Sequence, residues 1–236
     1  MVGDAFAYLL NGSSWAGSDG MLTELLQQLL LTFTAMLLAT VIGLPIALIL
    51  GHLGKGGFLA INISNIGRAI PTFAVLVVLS VGPVGTAVLG PYGRAGLATL
   101  IALVLFALPP IITNSYVGIR EVDREVVEAA RGMGMRGGQL FFAVELPLAL
   151  PLIITGMRLA LVQVWATATI AALVAGPGLG NVITAGFYRS DYGKGLAGAI
   201  VVAAVALVLE WFSALVEWQG SPQARVERRA AKLALA

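Results

Sequence analysis

Cysteine is absent from the 236 residues, and histidine occurs once, as His52. Disulfides and thiolate metal ligands are therefore excluded. A Ser/His/Asp triad, a His-rich metal site or a His proton relay would lack most of its parts. Charge is also scarce: Asp, Glu, Lys and Arg together make up 11% of the chain, with a formal net charge of +2. The basic residues are scattered, and no basic stripe interleaved with aromatics offers a nucleic-acid surface. No G-x-x-x-x-G-K-[ST] pattern occurs. The run Gly51-His52-Leu53-Gly54-Lys55-Gly56 has the wrong spacing and lacks the Ser/Thr. Paired acids, or a serine with a base, are not expected inside the bundle, so an intramembrane enzyme is the least favoured reading.

What the chain has in abundance is apolar surface, at 58% hydrophobic residues. The apolar residues gather into runs near the roughly 20 residues a helix needs to cross about 30 Å of hydrocarbon. The pattern predicts an all-α, polytopic membrane helix bundle of about five transmembrane helices. The first covers 25–50, opened by Ser18-Asp19-Gly20 as a cap and closed by a loop over 51–57 that carries His52 and Lys55. Gly43 and Pro45 are expected to bend it.

The second span begins near Phe58, is interrupted by Asn62, Asn65, Arg68 and Pro71, and continues through 73–79. The third covers 95–117 and is expected to kink at Pro109-Pro110, which a bilayer tolerates only where neighbours satisfy the freed carbonyls. The fourth covers 148–175 and stops at Gly176-Pro177-Gly178-Leu179-Gly180, read as a tight outer turn. The fifth covers 196–218, with Gly195, Ala199 and Ala203 as a small-residue packing stripe.

Basic residues orient the bundle. With the N-terminus outside, Lys55, Arg120, Arg124, Arg131, Arg136, Arg225, Arg228, Arg229 and Lys232 are cytoplasmic, against Arg94, Arg189 and Lys194 outside. Trp211 and Trp218 then fit the inner interface. Residues 1–20 form an extracytoplasmic tail, 21–218 the transmembrane domain and 219–236 a basic cytoplasmic tail. Arg68 and Arg158 stand nearest the membrane interior, where an ionisable group is a functional hypothesis by default. Arg158 either pairs within the bundle or snorkels along its stem. Glu210 falls near the inner end of the fifth span.

The charged island at 119–147 breaks the apolar pattern. Val122, Val126, Ala129 or Ala130, and Met133 recur at helical spacing, with Arg124 and Glu128 four apart on a polar face. Gly132, Gly134, Gly137 and Gly138 end this helix, and 140–144 leads to Pro147. Composition alone allows a plain membrane-surface connector here.

The segment resembles the EAA loop of ATP-binding-cassette (ABC) importer permeases: Glu-Ala-Ala, three residues, Gly, nine residues, an aliphatic, one residue, Leu-Pro. Glu128, Ala129, Ala130, Gly134, Val144, Leu146 and Pro147 occupy those positions, with Val144 in place of the usual isoleucine. The resemblance implies a coupling helix seated in a groove of a separate ATPase subunit, which holds ATP and Mg while this chain carries no cofactor or metal. Met133, Met135 and the valine face would form its apolar knob. Glu128, Arg131 and Arg136 would meet a polar rim, and Ala129 and Ala130 would permit close approach. An extracytoplasmic substrate-binding protein and a second permease, identical or paralogous, are implied too, in the cytoplasmic (inner) membrane of a bacterium or archaeon.

Further strings resemble the osmoprotectant branch, which carries glycine betaine, choline or carnitine: Arg68-Ala69-Ile70-Pro71-Thr72, the stretch 109–116, 145–151 with Gly156-Met157-Arg158, and 166–169 ahead of Gly176. Methionine permeases share some of these, so methionine or another small amino acid stays open as the substrate. Quaternary ammonium groups bind aromatic faces, which makes Trp165, with Gln163, Thr167 and Thr169, the candidate substrate pathway. A non-transporting membrane scaffold whose loop binds a soluble partner is the rival from another class.

Overall fold

The computed structural model describes residues 1–58, 62, 67, 69–86, 88, 90–93 and 95–220. All regular elements among them are helical. They are α1 (Val2–Leu10), a 3-10 turn (Gly12–Ser14), α2 (Met21–Leu53), α3 (Thr72–Val81), a 3-10 turn (Gly90–Tyr92), α4 (Gly96–Arg120), α5 (Arg124–Gly132) and α6 (Gly137–Leu140). A π turn (Phe141–Glu145), α7 (Leu146–Ile170), a 3-10 turn (Ala171–Val174), α8 (Gly180–Tyr188) and α9 (Tyr192–Gly220) complete the order.

Four stretches are long and apolar enough to cross a bilayer: Met21–Leu53, Gly96–Arg120, Gly137–Val174 and Tyr192–Trp218. The remaining expected span is represented by α3. Its ten residues rise about 15 Å, roughly half the hydrocarbon thickness. Asn65, Arg68, Arg94 and the basic tail from Arg225 to Lys232 lie outside the described residues, so the readings placed on them do too.

Helix α2 runs past the expected boundary and takes in His52. Gly54 ends it at φ +66°, with the Lys55 N–H bonded to the Leu50 carbonyl and the Gly54 N–H to that of Gly51, both at 3.1 Å. That paired closure needs a left-handed residue, which glycine adopts without a Cβ penalty. The N-terminal tail is not featureless. In α1, Ala5 is buried and Tyr8 and Leu9 pack on the cluster around Trp165, while the Trp15 indole N–H donates to the Leu9 carbonyl at 2.8 Å.

The chain packs as two compact units, Met1–Leu38 with Arg68–Ala107 and Leu161–Leu209, and Ala39–Gly67 with Leu108–Ala160 and Glu210–Ala236. In the first, Met21, Trp165, Leu179, Val182, Ala197 and Val201 form the main core. In the second, Ala47 packs with Ile112 and Tyr116, and Ile119 with Ala149 and Ile153. Lipid tails are as apolar as leucine, so close van der Waals contact has to hold such helices together. Gly43, Ala47 and Gly51 supply it on α2. A Cβ on Gly43 would stand 3.0 Å from Leu108 Cδ2, and one on Gly51 2.9 Å from Ile119 Cβ.

On α9 the expected stripe is corrected. Gly195 is buried, Ala199 half-buried and Ala203 exposed. A four-residue step overshoots the helical repeat by roughly 40°, so the stripe rotates out of contact. Gly198 takes the second place instead, against Val182 and Ile183. Helix α4 continues through Pro109 and Pro110. Gly156 closes on that turn, where its Cβ would lie 2.8 Å from the Pro110 carbonyl oxygen, and Asn114 Nδ2 donates to the same oxygen at 2.8 Å.

Candidate functional site

The EAA-like segment folds as helix, glycine turn, helix. Asp123 caps α5 by accepting the Glu125 N–H at 2.9 Å, which satisfies one orphan donor of the first turn. At the other end the Met135 N–H bonds to the Ala130 carbonyl at 3.2 Å and the Gly134 N–H to that of Arg131 at 2.9 Å. Gly134 sits between them at φ +86°. This is a complete Schellman closure, and it explains in physical terms why the turn is a glycine.

The faces of α5 divide differently from the sequence expectation. Val122 and Ala130 are buried and Met135 half-buried. Val126, Ala129 and Met133, at positions i, i+3 and i+7, are exposed, Met133 at 74%. The single knob expected from Met133, Met135 and the valines is therefore split: Met135 and Val122 face inward, and the outward stripe is Val126, Ala129 and Met133. Glu128 and Arg131, expected on a rim, line a cleft of about 260 Å³ with His52, Arg120, Arg124 and Glu145. The Arg136 N–H donates to Gln139 Oε1 at 3.0 Å, starting the second helix.

Pro147 lies one residue into α7 and is exposed. Having no N–H, it cannot bond to the carbonyl four residues back, and the preceding turn widens into the π conformation over Phe141–Glu145. That turn directs the Glu145 side chain, 8% exposed, onto His52 Nδ1 at 2.5 Å. His52 also packs edge-on against Phe141. Sequence reasoning missed this pair because it left His52 in a loop. The αL closure at Gly54 was the signal that the helix extends further.

The four candidate pathway residues separate. Trp165 is 1% exposed, and its indole N–H donates to the Val202 carbonyl at 3.1 Å. Thr167 is buried and Thr169 half-buried. Gln163 alone shares the open side of α7, near the exposed Leu159, Val162 and Ala166.

Behind Trp165 lies a polar network the sequence did not reveal. Gln28 is fully buried. Its Nε2 donates to Thr169 Oγ1 at 2.9 Å and to the Trp165 carbonyl at 3.3 Å, while its Oε1 accepts the Leu179 N–H at 2.9 Å. One turn earlier, Glu24 Oε2 accepts the Gly178 N–H at 3.0 Å and Asn181 Nδ2 at 3.1 Å. The Gly176–Gly180 turn is thus held from α2, with Gly178 at φ +122°.

Residues 39–218 match the family model described as binding-protein-dependent transport system inner membrane component. The chain belongs to this family. It is a multi-pass inner-membrane permease of an ABC transporter, and ATP is bound on a separate ATPase subunit. The permease is 34% identical over 212 residues to the carnitine transport permease protein OpuCB of Listeria monocytogenes, covering 89% of this chain and 92% of the relative. It is 33% identical over 196 residues to the osmoprotectant import permease protein OsmY of Salmonella typhimurium, covering 82% and 78%. An inward-facing structure of the MetNI methionine ABC transporter superposes with a TM-score of 0.70 at 21% identity, over 85% of this chain and 96% of that one. At that identity the likeness establishes the fold.

The permease also carries an ionic cluster in its membrane helices. Arg158 of α7 pairs with Glu210 of α9 through Nε, at 3.0 Å, and through Nη2. Its Nη1 donates to Glu217 Oε2 at 2.5 Å, and Glu217 Oε1 accepts from Thr155 Oγ1 at 2.5 Å. Of the two alternatives for Arg158, pairing is the one realised.

Proposed function

We propose that this permease, as a homodimer or beside a paralogous permease, forms the pathway of an importer for a quaternary-ammonium osmoprotectant: glycine betaine, choline or carnitine. The observation that carries this reading is that relatives aligned over more than 80% of this chain are named for carnitine, choline and glycine betaine transport. The absence of cysteine and the lone histidine suit a passage without covalent chemistry.

The segment 119–147 is the lever between this bundle and the ATPase. Val126, Ala129 and Met133 enter the ATPase groove as its apolar stripe, and Gly134 sets the angle at which the chain turns back toward Pro147. Glu128 and Arg131 face the cleft beside His52 and keep the lever seated on the bundle. Ala130 lies under the helix, and Met135 packs behind the turn. When two ATPases close on ATP, the two levers draw together and the pathway opens outward to the binding protein; hydrolysis returns it inward. The four arginines of 119–147, with Lys55 and the basic tail, outnumber Arg94, Arg189 and Lys194 on the other side, which supports a cytoplasmic lever, with residues 1–20 outside and 219–236 inside. Gln163 borders the pathway, while Trp165, Thr167 and Thr169 set the form of its wall.

The test is the complex with its ATPase and binding protein in proteoliposomes. Glycine betaine, choline or carnitine should stimulate ATP hydrolysis and accumulate inside. Accumulation of methionine with none of these would overturn the substrate reading, and hydrolysis insensitive to every solute would favour a scaffold.

A further inference from the structure

Two acids and two bases surround one cavity in the first unit without pairing. The cavity measures about 350 Å³ and is lined by Asp19, Glu24, Asn181, Val182, Ala185, Arg189 and Lys194. Among the described residues, none of the four charged groups forms an ion pair within 4.0 Å. Glu24 is 9% exposed and spends only Oε2 on Gly178 and Asn181. The Lys194 backbone N–H donates to Asp191 Oδ1 at 3.0 Å, which fixes the residue at the cavity lining. Arg158, by contrast, closes on Glu210 and Glu217. Here the opposite charges are held apart, and the space between them fits a small solute.

We propose that this cavity is an extracytoplasmic receiving site for a small zwitterion, its cationic end against Asp19 and Glu24 and its carboxylate against Arg189 and Lys194. The proposal rests on the import reading above and deepens it by naming the charge class received. Glu24 bonds to Gly178 and Asn181, so the start of α2 and the segment leading into α9 share one end of this unit; with α3 counted as the second of five crossings, Arg189 and Lys194 follow the fourth, on the side of the N-terminus. A zwitterion leaving its binding protein gives up water at both ends, and each end needs an opposite charge to replace it. Among the described residues the lining holds no aromatic ring. The quaternary head of either solute meets carboxylates rather than a cage, and only a solute that also carries a carboxylate makes use of the two bases.

Glycine betaine and choline separate the two halves, because choline lacks the carboxylate. In proteoliposomes holding the full complex, Arg189→Gln combined with Lys194→Gln should lower the ratio of glycine betaine to choline uptake about tenfold, the value of one charge-assisted hydrogen bond. An unchanged ratio overturns the proposal. So does an equal loss for both solutes that excess binding protein restores, which would identify a docking contact. A second measurement uses the absence of cysteine. Ala185→Cys in the full complex is labelled by a membrane-impermeant thiol reagent, and zwitterions should slow the reaction where choline does not. Protection by methionine but not glycine betaine would keep the site and sink the osmoprotectant reading. Protection by neither zwitterion sinks the site.

Discussion

His52 Nδ1 and Glu145 Oε2 meet at 2.5 Å, tying the last turn of α2 to the π turn that leads into α7. The carboxylate is buried and has no other partner among the described residues. Replacing His52 with alanine leaves it unsatisfied, at a cost of about 1–3 kcal/mol. His52→Ala should lower the melting temperature of the purified complex, and His52→Leu with Glu145→Leu should recover much of the loss, since removing both partners leaves nothing unpaired. Equal melting temperatures for wild type and His52→Ala would show that the pair contributes nothing.

Gly134 tests the lever by conformation rather than by bulk. A Cβ there would meet nothing within 4 Å, yet φ is +86°. Gly134→Ala should therefore cost about 1–2 kcal/mol through the left-handed backbone alone, and Gly134→Asn less, because asparagine visits that region more readily. Transport per ATP hydrolysed should fall in the order Gly, Asn, Ala. A bulky residue that leaves the ratio unchanged would remove the turn from the coupling account.

Gln28 carries three hydrogen bonds from a fully buried position. Gln28→Leu strands the Leu179 N–H, a cost of about 1–3 kcal/mol for an unsatisfied buried donor, and leaves the Gly176–Gly180 turn held from α2 through Glu24 alone. Limited proteolysis at that turn should accelerate in the variant. An unchanged cleavage rate would mean that Glu24 holds the turn without Gln28.

The bundle was legible because its signal is local. Runs such as 96–120 and 192–218 are continuously apolar, and the EAA-like spacing from Glu128 to Pro147 is a short-range pattern with a glycine at the position where a Schellman closure demands one. What stayed hidden depends on contacts across long stretches of sequence. Gln28 and Thr169 are separated by 141 residues, and no periodicity within α2 announces that partner. The split of the valine face was hidden for a related reason. Val122 and Val126 share a helical stripe in sequence, but only the packing of Ala130 and Leu140 decides which side of α5 turns inward. Trp165 looked like a ligand for a cation because a membrane tryptophan supplies a ring face, and burial in the Met21 and Leu179 cluster occupies that face.

Arg158 stands about 18 Å along α7 from Leu146, deep in a span where an unpaired charge is expensive. Two carboxylates answer it, at 39% and 27% exposure, so the cluster holds one cation against two anions. Arg158→Met leaves Glu210 and Glu217 facing each other without a counter-charge, and should destabilise the bundle by about 1–3 kcal/mol, below the fully buried value because the groups are only partly enclosed. Adding Glu210→Gln and Glu217→Gln removes that repulsion, and the triple variant should recover both membrane yield and melting temperature. Transport then separates two roles. Recovered stability with recovered uptake makes the cluster a helix clasp, whereas recovered stability with uptake still lost would assign the charges themselves to the transport cycle.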